Sequence, residues 1–224
     1  MPTDFKQPLL NARQQIDQLI KQIKNEGHQD NLQDSLLPTL ETVLTQLDSM
    51  ARHDHLTGAL NRRSLMAMLD GELARSFRTG HTFTLAIIAV DGLEQILEQH
   101  GQAAARQVLQ QVAKEALNML RTLDSFGRVA ANEFAIVMPT TWLEASRKAI
   151  ARLKLRIAEV DWNAISPGLT VTFATGLTTN AHKDNAESML KRVGIALQAA
   201  RSQGADKIAE IEPPLPDYDP AAED

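Results

Sequence analysis

The sequence has no cysteine among its 224 residues. Disulfide bonds, thiolate metal sites and cysteine nucleophiles are therefore excluded, and nothing ties the chain to an oxidising compartment. No stretch approaches the ~20 apolar residues that a membrane-spanning helix needs, and residues 1–15 lack the basic and then apolar order of a signal peptide. We therefore expect a soluble cytoplasmic protein with no membrane span.

Basic charge is also in short supply, because 23 lysines and arginines face 28 aspartates and glutamates, for a net charge of −5. Binding to nucleic acid requires a basic surface, so this balance disfavours nucleic acid as the main partner. It does not exclude a local basic pocket. Apolar residues make up 43% of the chain, which is enough to bury a core, and the charged fraction of 23% is typical of a soluble protein.

Residues 1–53 form a polar segment with two helical patterns. The apolar positions of these patterns are Ile16, Leu19, Ile20 and Ile23, followed by Leu36, Leu40, Val43, Leu44, Leu47 and Met50. Their i, i+3, i+4, i+7 spacing predicts one apolar face on each helix, and residues 27–31 separate the two. We expect this N-terminal helical segment either to cap the following domain or to mediate dimerisation and signalling.

Residues 54–211 alternate between helical and strand patterns and predict one domain. Phe83–Val90 is a short β-branched run without proline, typical of a buried central strand. The predicted helices are 61–78, 93–120, 142–159 and 185–203, and the predicted strands are 83–90, 125–129, 133–138, 169–177 and 207–211. This order predicts an α+β fold in which helices flank a central mixed, mostly antiparallel sheet.

Residues 212–224 form an acidic, proline-rich tail. A segment of this composition buries too little apolar surface to offset the entropy of ordering its chain. We therefore expect the tail to be disordered and to act as a solubilising segment.

Several motifs in the central domain resemble those of one bacterial family. Asp54–Arg63 is similar to the D-x-L-T-G-x-x-N-R-R segment that opens GGDEF domains, and Gly127–Phe134 stands where that family has G-R-x-G-G-D-E-F. Gly101–Leu109, Thr172–Gly176 and Ala196–Arg201 are similar to three further family motifs in the same order. The resemblance covers residues 54–211 and implies the fold of diguanylate cyclases, which is like that of nucleotidyl cyclases.

Members of this family condense two GTP molecules into cyclic di-GMP, and that chemistry needs a divalent metal. The resemblance places Ala89 at the metal-binding aspartate, Ala130 and Ala131 at the two signature glycines, and Asn132 at the signature acid. Alanine supplies no ligand to a metal, and an amide brings no charge. The sequence therefore predicts a degenerate signature with no bound metal or cofactor, in a protein that is not an enzyme.

The remaining family positions are mixed. Glu133 and Phe134 of the signature are kept, although Phe134 is expected to serve the core. The positions that read guanine in the family correspond to Leu97 and Arg106, neither of which can accept hydrogen bonds from guanine N–H groups. Arg201 stands in place of a family lysine and could supply a cation for phosphate.

A second site of the family is preserved better than the first. Many GGDEF domains bind their product, cyclic di-GMP, at an inhibitory R-x-x-D motif, and here Arg121 and Asp124 match that motif. The resemblance adds Arg152 from the helix after the signature, and Arg75 as the residue that reaches the ligand of a neighbouring protomer. Arginine forks onto phosphate or guanine, and a carboxylate accepts from guanine N–H groups.

These four residues also have a plainer interpretation. Arg121 and Asp124 could be a surface ion pair, and Arg75 and Arg152 ordinary helix-surface cations. Our leading hypothesis is a catalytically inactive GGDEF-domain protein that acts as a cyclic di-GMP receptor, signals to a protein partner and forms ligand-linked homodimers. The alternatives are a nucleotide-independent protein-interaction scaffold, and a residual diguanylate cyclase or GTP binder.

Overall fold

The computed structural model describes residues 14, 16–18, 20, 21, 38–45, 47 and 51–213. The chain divides into two compact units, residues 1–53 and 54–224. The described residues of the first unit up to residue 47 are helical, in two stretches that fall within the two helices predicted there. The predicted break at 27–31 and most of the predicted tail, residues 214–224, lie outside the described residues.

The second unit alternates helices and strands as predicted. Its helices are α1 (Arg62–Thr79), α2 (Leu93–Met119), α3 (Leu143–Ala158) and α4 (Ala186–Ser202). Its strands are β1 (Leu60–Asn61), β2 (Thr84–Val90), β3 (Ser125–Arg128), β4 (Glu133–Met138), β5 (Phe173–Thr179) and β6 (Ile208–Glu210). No helix in the described part of the chain is long and apolar enough to cross a membrane.

The six strands form one sheet in the order β1-β3-β4-β2-β5-β6. The three inner pairings, β3 with β4, β4 with β2 and β2 with β5, are antiparallel. The two outer pairings, β1 with β3 and β5 with β6, are parallel. The predicted α+β fold with a mixed, mostly antiparallel sheet is therefore confirmed.

Helices cover both faces of this sheet and enclose two apolar cores. Every residue of β2 is buried, and its alternate side chains enter opposite cores, as the period of two in a strand requires. Ile88 packs with α2 and α3 in one core, whereas Ala89 packs with α1 and α4 in the other. The domain is thus a three-layer sandwich, with the sheet between two layers of helices.

Glycine is required where α4 crosses β5. A β-carbon on Gly176 would lie 2.4 Å from the backbone nitrogen of Leu197 and 2.5 Å from the carbonyl oxygen of Val193. A second glycine, Gly101, bends α2 because its φ of 83° and ψ of 170° leave the helical region. Both residues belong to motifs that the sequence singled out, and both have a backbone reason to be glycine.

One strand prediction needs correction, and one strand was not predicted. The strand expected over 169–177 runs instead over Phe173–Thr179, because its partner β2 ends at Val90, which pairs with Phe173. Leu169 and Val171 are buried in the core outside any strand. The two-residue strand β1 escaped prediction because Leu60 and Asn61 carry no alternation, and a short helix at Trp162–Ala164 was also not foreseen.

Candidate functional site

The A-A-N-E-F segment forms the tip of the β3–β4 hairpin. The backbone N–H groups of Val129 and Ala130 donate to the carbonyl of Glu133 at 2.9 and 3.2 Å. The non-glycine residues with positive φ in the described chain are Thr140 and Asp206, so neither alanine of the tip needs a left-handed backbone. The tip therefore closes without glycine.

Phe134, at the base of this tip, belongs to the core. It is fully buried and stacks on Phe126 with ring centroids 5.1 Å apart. The expectation that this aromatic ring serves packing is confirmed.

A cavity of about 580 Å³ lies beside the hairpin tip. It is lined by the end of β2 and the first turn of α2, by Ala131, Asn132 and Glu133 from the tip, and by Arg201 from α4. The N-terminus of a 27-residue helix opens into it, and such a terminus favours anions. The cavity is thus large enough for a small ligand and has both acidic and basic lining residues.

Most of the polar side chains that line this cavity have partners within the protein. The Asn132 amide nitrogen donates to the carbonyl oxygen of Val90 at 3.1 Å, and Arg201 pairs with Glu133 at 3.2 Å. Asp91 accepts from the Thr172 hydroxyl at 2.7 Å and from the Asp206 backbone N–H at 3.0 Å. Each of the three polar tip and strand-end residues therefore already has a protein partner.

The described residues offer no cluster of three or more His, Cys, Asp or Glu side chains that could hold a metal ion. Magnesium prefers carboxylate oxygens. Ala89, which the resemblance places at the metal aspartate, is fully buried in the α1/α4 core. Asn132 presents an amide donor, rather than a ligand oxygen, to the Val90 carbonyl.

A second polar cluster ties the first segment of the domain to the hairpin tip. Asp54 accepts from the hydroxyl and the backbone N–H of Thr57 at 2.7 and 3.0 Å, and lies 3.3 Å from Arg128. Arg128 also donates to the carbonyl of Ala131 at 2.6 Å. Burial opposes the charged form of Asp54, but the bonds from Thr57 and the charge of Arg128 outweigh it and lower the pKa of Asp54.

Arg121 and Asp124 form a tight turn between α2 and β3. The backbone N–H of Arg121 donates to the Asp124 carboxylate at 2.9 Å, and the backbone N–H of Asp124 donates to the Arg121 carbonyl at 3.0 Å. The carboxylate is thus bonded by the backbone of Arg121, and the arginine side chain is exposed. Burial raises the pKa of Asp124, more than the Arg121 N–H bond and the Arg121 charge lower it.

Arg152 lies on α3, which packs beside α2 in the same layer. The strand directions require these helices to run antiparallel, and Arg156 of α3 lies 3.6 Å from Glu115 of α2. Arg152 precedes Arg156 by one turn on the same side of α3. Because the helices are antiparallel, their directions place Arg152 on the side of Arg156 that is nearer to the C-terminal end of α2, from which the chain continues into the Arg121–Asp124 turn.

Arg75 occupies the other helical layer. It lies on α1, whose apolar face packs in the opposite core from that of α2 and α3. Its guanidinium is 3.3 Å from the carboxylate of Glu72, which is buried. Within one protomer the sheet separates Arg75 from the Arg121–Asp124 turn, and the expectation that Arg75 serves a neighbouring protomer remains a prediction.

Sequence reasoning overlooked several of these residues. Glu72 and Arg128 are ordinary charged residues of a helix and a strand in the sequence, and only the fold shows that they are largely buried and paired with Arg75 and Asp54. The donor role of Asn132 also required coordinates, because an asparagine can accept or donate.

Comparison with known proteins identifies the domain. The family profile described as "Diguanylate cyclase, GGDEF domain" matches residues 51–207. The chain is 32% identical over 155 residues to the diguanylate cyclase DgcP of Pseudomonas aeruginosa, which covers 69% of this chain and 23% of DgcP. The chain thus spans under a quarter of that relative's length.

Two solved structures are similar as well. The coiled coil and GGDEF domain of DgcB from Caulobacter crescentus, solved in complex with c-di-GMP, matches with a TM-score of 0.72 at 20% identity, over 81% of this chain and 97% of that one. The diguanylate cyclase SiaD from Pseudomonas aeruginosa, solved in complex with its activator SiaC, matches with a TM-score of 0.67 at 25% identity, over 93% and 78% of the two chains. This chain therefore belongs to the GGDEF-domain family of diguanylate cyclases.

Proposed function

We propose that this protein is a catalytically inactive GGDEF-domain protein that acts as a cyclic di-GMP receptor. The ligand would bind at the corner formed by Arg121, Asp124 and Arg152, with Arg75 contributed by a second protomer. The bound protein would then signal to a protein partner through its N-terminal helical segment. The observation that carries the proposal is the Arg121–Asp124 turn, in which a backbone N–H holds the carboxylate and the arginine side chain is exposed.

The chemistry of the corner suits cyclic di-GMP. The Arg121–Asp124 turn fixes the carboxylate by a backbone bond, so the arginine side chain does not have to break an ion pair before it binds a ligand. Arginine binds phosphate or the O6 and N7 edge of guanine in a forked geometry. The Asp124 carboxylate can accept from the guanine N–H groups. These are complementary partners for a ligand with two phosphates and two guanines.

Arg152 strengthens this argument because the other cations of α3 already have acidic partners. Arg147 lies 3.6 Å from Glu210, and Lys154 and Arg156 pair with Asp206 and Glu115. For Arg152 the described part of the chain offers no ion pair, and its side chain is exposed. Arg152 is therefore available to bind an anionic ligand at the proposed corner.

The cavity at the hairpin tip supports the loss of catalysis. Phosphoryl chemistry of this kind needs metal ions to neutralise the triphosphate. Here Asn132 donates to the carbonyl of Val90, and the neighbouring Glu133 is paired with Arg201. A lost charge-stabilising group commonly costs a factor of about 10²–10³ in turnover, and Ala89 and Asn132 together remove two metal-ligand positions.

One observation favours residual GTP binding as a second candidate. The cavity of about 580 Å³ persists, and it contains Arg201 and the N-terminus of α2. Both features attract phosphate. The relative DgcP is a diguanylate cyclase, so the two functions must be separated by experiment.

Two of the similar solved structures support the proposals of a protein partner and of a homodimer. SiaD was solved with a protein activator, and DgcB with a coiled coil before its GGDEF domain. In this chain, the described helical residues of the N-terminal unit likewise precede the GGDEF domain.

The test is a calorimetric titration of the full chain with cyclic di-GMP, and separately with GTP plus Mn²⁺. We expect micromolar or tighter binding of cyclic di-GMP, lost in Arg121→Ala/Asp124→Ala. The matched control is Lys148→Ala/Glu144→Ala, which also removes one cation and one acid, from an exposed pair. Absence of cyclic di-GMP binding by the wild type would sink the receptor proposal, and turnover of GTP would revive the enzyme.

A further inference from the structure

A buried carboxylate lies directly behind Arg75. The Glu72 side chain is only 4% exposed, although it carries a charge. One carboxylate oxygen is 2.7 Å from Nε2 of His81, and the other is 3.3 Å from the Arg75 guanidinium. The charge of Glu72 is therefore balanced by a partner on each oxygen, as a buried acid requires.

The hydrogen atoms of this cluster can be assigned in part. An ionised carboxylate only accepts hydrogen bonds, so Nε2 of His81 must carry the hydrogen in its contact with Glu72. The other ring nitrogen, Nδ1, lies 2.5 Å from the hydroxyl of Thr79. The ring is thus fixed at both ends, and it holds one oxygen of Glu72 in place while the second oxygen faces Arg75.

We propose that Glu72 is a positioning residue that holds Arg75 ready for the ligand of a second protomer. The inference rests on the proposed cyclic di-GMP function, and it assigns a task to two residues outside the binding corner, Glu72 and His81. Arg75 is 52% exposed despite its contact with Glu72. Its guanidinium has five N–H donors, so one contact with Glu72 leaves donors free on the solvent side.

The physical benefit is preorganisation. A free arginine side chain loses much rotamer freedom when it binds, and this loss weakens the complex. A guanidinium already oriented by a fixed carboxylate loses less. Since Glu72 is itself fixed by His81, which stands after the end of α1, the orientation of Arg75 is set by the fold rather than by solvent.

Glu72→Gln is the informative variant. It keeps the shape of the side chain and removes the negative charge that attracts Arg75. Arg78 provides the internal reference, because it lies in the last turn of the same helix and is exposed. Arg75→Ala removes the positioned group itself, and Arg78→Ala is its matched control.

The first measurement needs no ligand. Phenylglyoxal modifies accessible arginines, and mass spectrometry gives the rates at Arg75 and Arg78 in the same sample. An ion pair whose arginine is half exposed corresponds to a protection of about two- to fivefold. We expect Arg75 to react that much more slowly than Arg78 in the wild type, and at the same rate in Glu72→Gln. Equal rates at both arginines in the wild type would overturn the positioning role.

The second measurement is ligand-driven dimerisation, followed by analytical ultracentrifugation with added cyclic di-GMP. We expect dimerisation to weaken about two- to fivefold in Glu72→Gln and about tenfold or more in Arg75→Ala, with Arg78→Ala like the wild type. Calorimetric binding at low protein concentration, where one protomer binds alone, should remain unchanged in Glu72→Gln and Arg78→Ala, because neither residue belongs to the corner with Arg121.

The two arms separate failure of this inference from failure of the proposed function. Protection of Arg75 without any effect of Glu72→Gln on dimerisation would overturn the ligand-facing role of Glu72. No binding of cyclic di-GMP by the wild type would overturn the proposed function, and with it the ligand-facing role. The modification rates would then still decide whether Glu72 orients Arg75.

Discussion

Replacing Arg152 by alanine distinguishes a binding residue from an ordinary surface cation. The Arg152 side chain is exposed on α3, without an ion pair among the described residues, so its removal should change the free energy of unfolding by less than about 0.5 kcal/mol. Arg156, one turn further on, is paired with Glu115 at 3.6 Å and is 47% exposed. It provides the matched control on the same helix.

The effect on ligand binding should be much larger. Hydrogen bonds to a charged group contribute about 1.5–3 kcal/mol each, and about 1.4 kcal/mol corresponds to a factor of ten in affinity. We therefore expect Arg152→Ala to weaken cyclic di-GMP binding by about tenfold to somewhat over a hundredfold. Arg156→Ala should change binding by less than about fivefold, because an exposed ion pair contributes at most about 1 kcal/mol.

Calorimetry gives the binding constants, and thermal unfolding monitored by circular dichroism gives the stabilities. The reasoning is refuted if Arg152→Ala binds like the wild type, or if both variants lose the same affinity. A fall in stability of Arg152→Ala beyond about 1 kcal/mol would show a structural contact that the exposed position does not suggest.

Two further predictions concern single residues of the same domain. Burial raises the pKa of Asp124, so this acid keeps its proton to higher pH than an ordinary aspartate. Because only the ionised carboxylate accepts from guanine, cyclic di-GMP binding should weaken on acidification through that raised pKa. Carboxyl ¹³C NMR should show the pKa of Asp124 falling when the ligand binds. An unchanged value in the complex would contradict direct contact. Gly176→Ala should destabilise the protein by about 1–3 kcal/mol or more, because the new β-carbon would meet the α4 backbone. Gly194→Ala, where the position in α4 has open space around it, should stabilise the protein by up to about 1 kcal/mol. Equal thermal unfolding of the two variants would contradict the close approach at Gly176.

The fold was predictable because the apolar pattern of each segment in the sequence matches the way that segment is buried in the structure. The run at 83–90 is apolar on both alternations, and the strand it forms is buried on both faces. The prediction of a strand's ends failed where the neighbouring strand, and not the strand's own sequence, decides where pairing stops. Nothing in residues 169–172 forbids a strand, but β2 ends before it could pair with them.

Some residues of the candidate site could also be predicted from the sequence, whereas others could not. Arg121 and Asp124 lie close together in sequence, so their motif could be found and their turn expected. The relation of Arg152 to this turn depends on the antiparallel packing of α2 and α3, and a resemblance to other proteins was needed to propose it. Glu72 and His81 had no sequence signal at all, since charge on a helix is usually solvated, and only burial reveals their contact.

The β3–β4 hairpin is stabilised at its tip by a side-chain bond from Asn132 to the end of β2. Val90 ends a central strand, and a carbonyl there without a partner would cost about 1–3 kcal/mol if buried. The amide of Asn132 donates to it at 3.1 Å and so satisfies this acceptor. The hairpin also begins directly after Asp124 and carries Asn132 at its tip. A substitution that kept the tip rigid should therefore also preserve the Arg121–Asp124 turn at the other end of β3, and under the proposed function this link would let the ligand-binding corner remain intact while the tip changes.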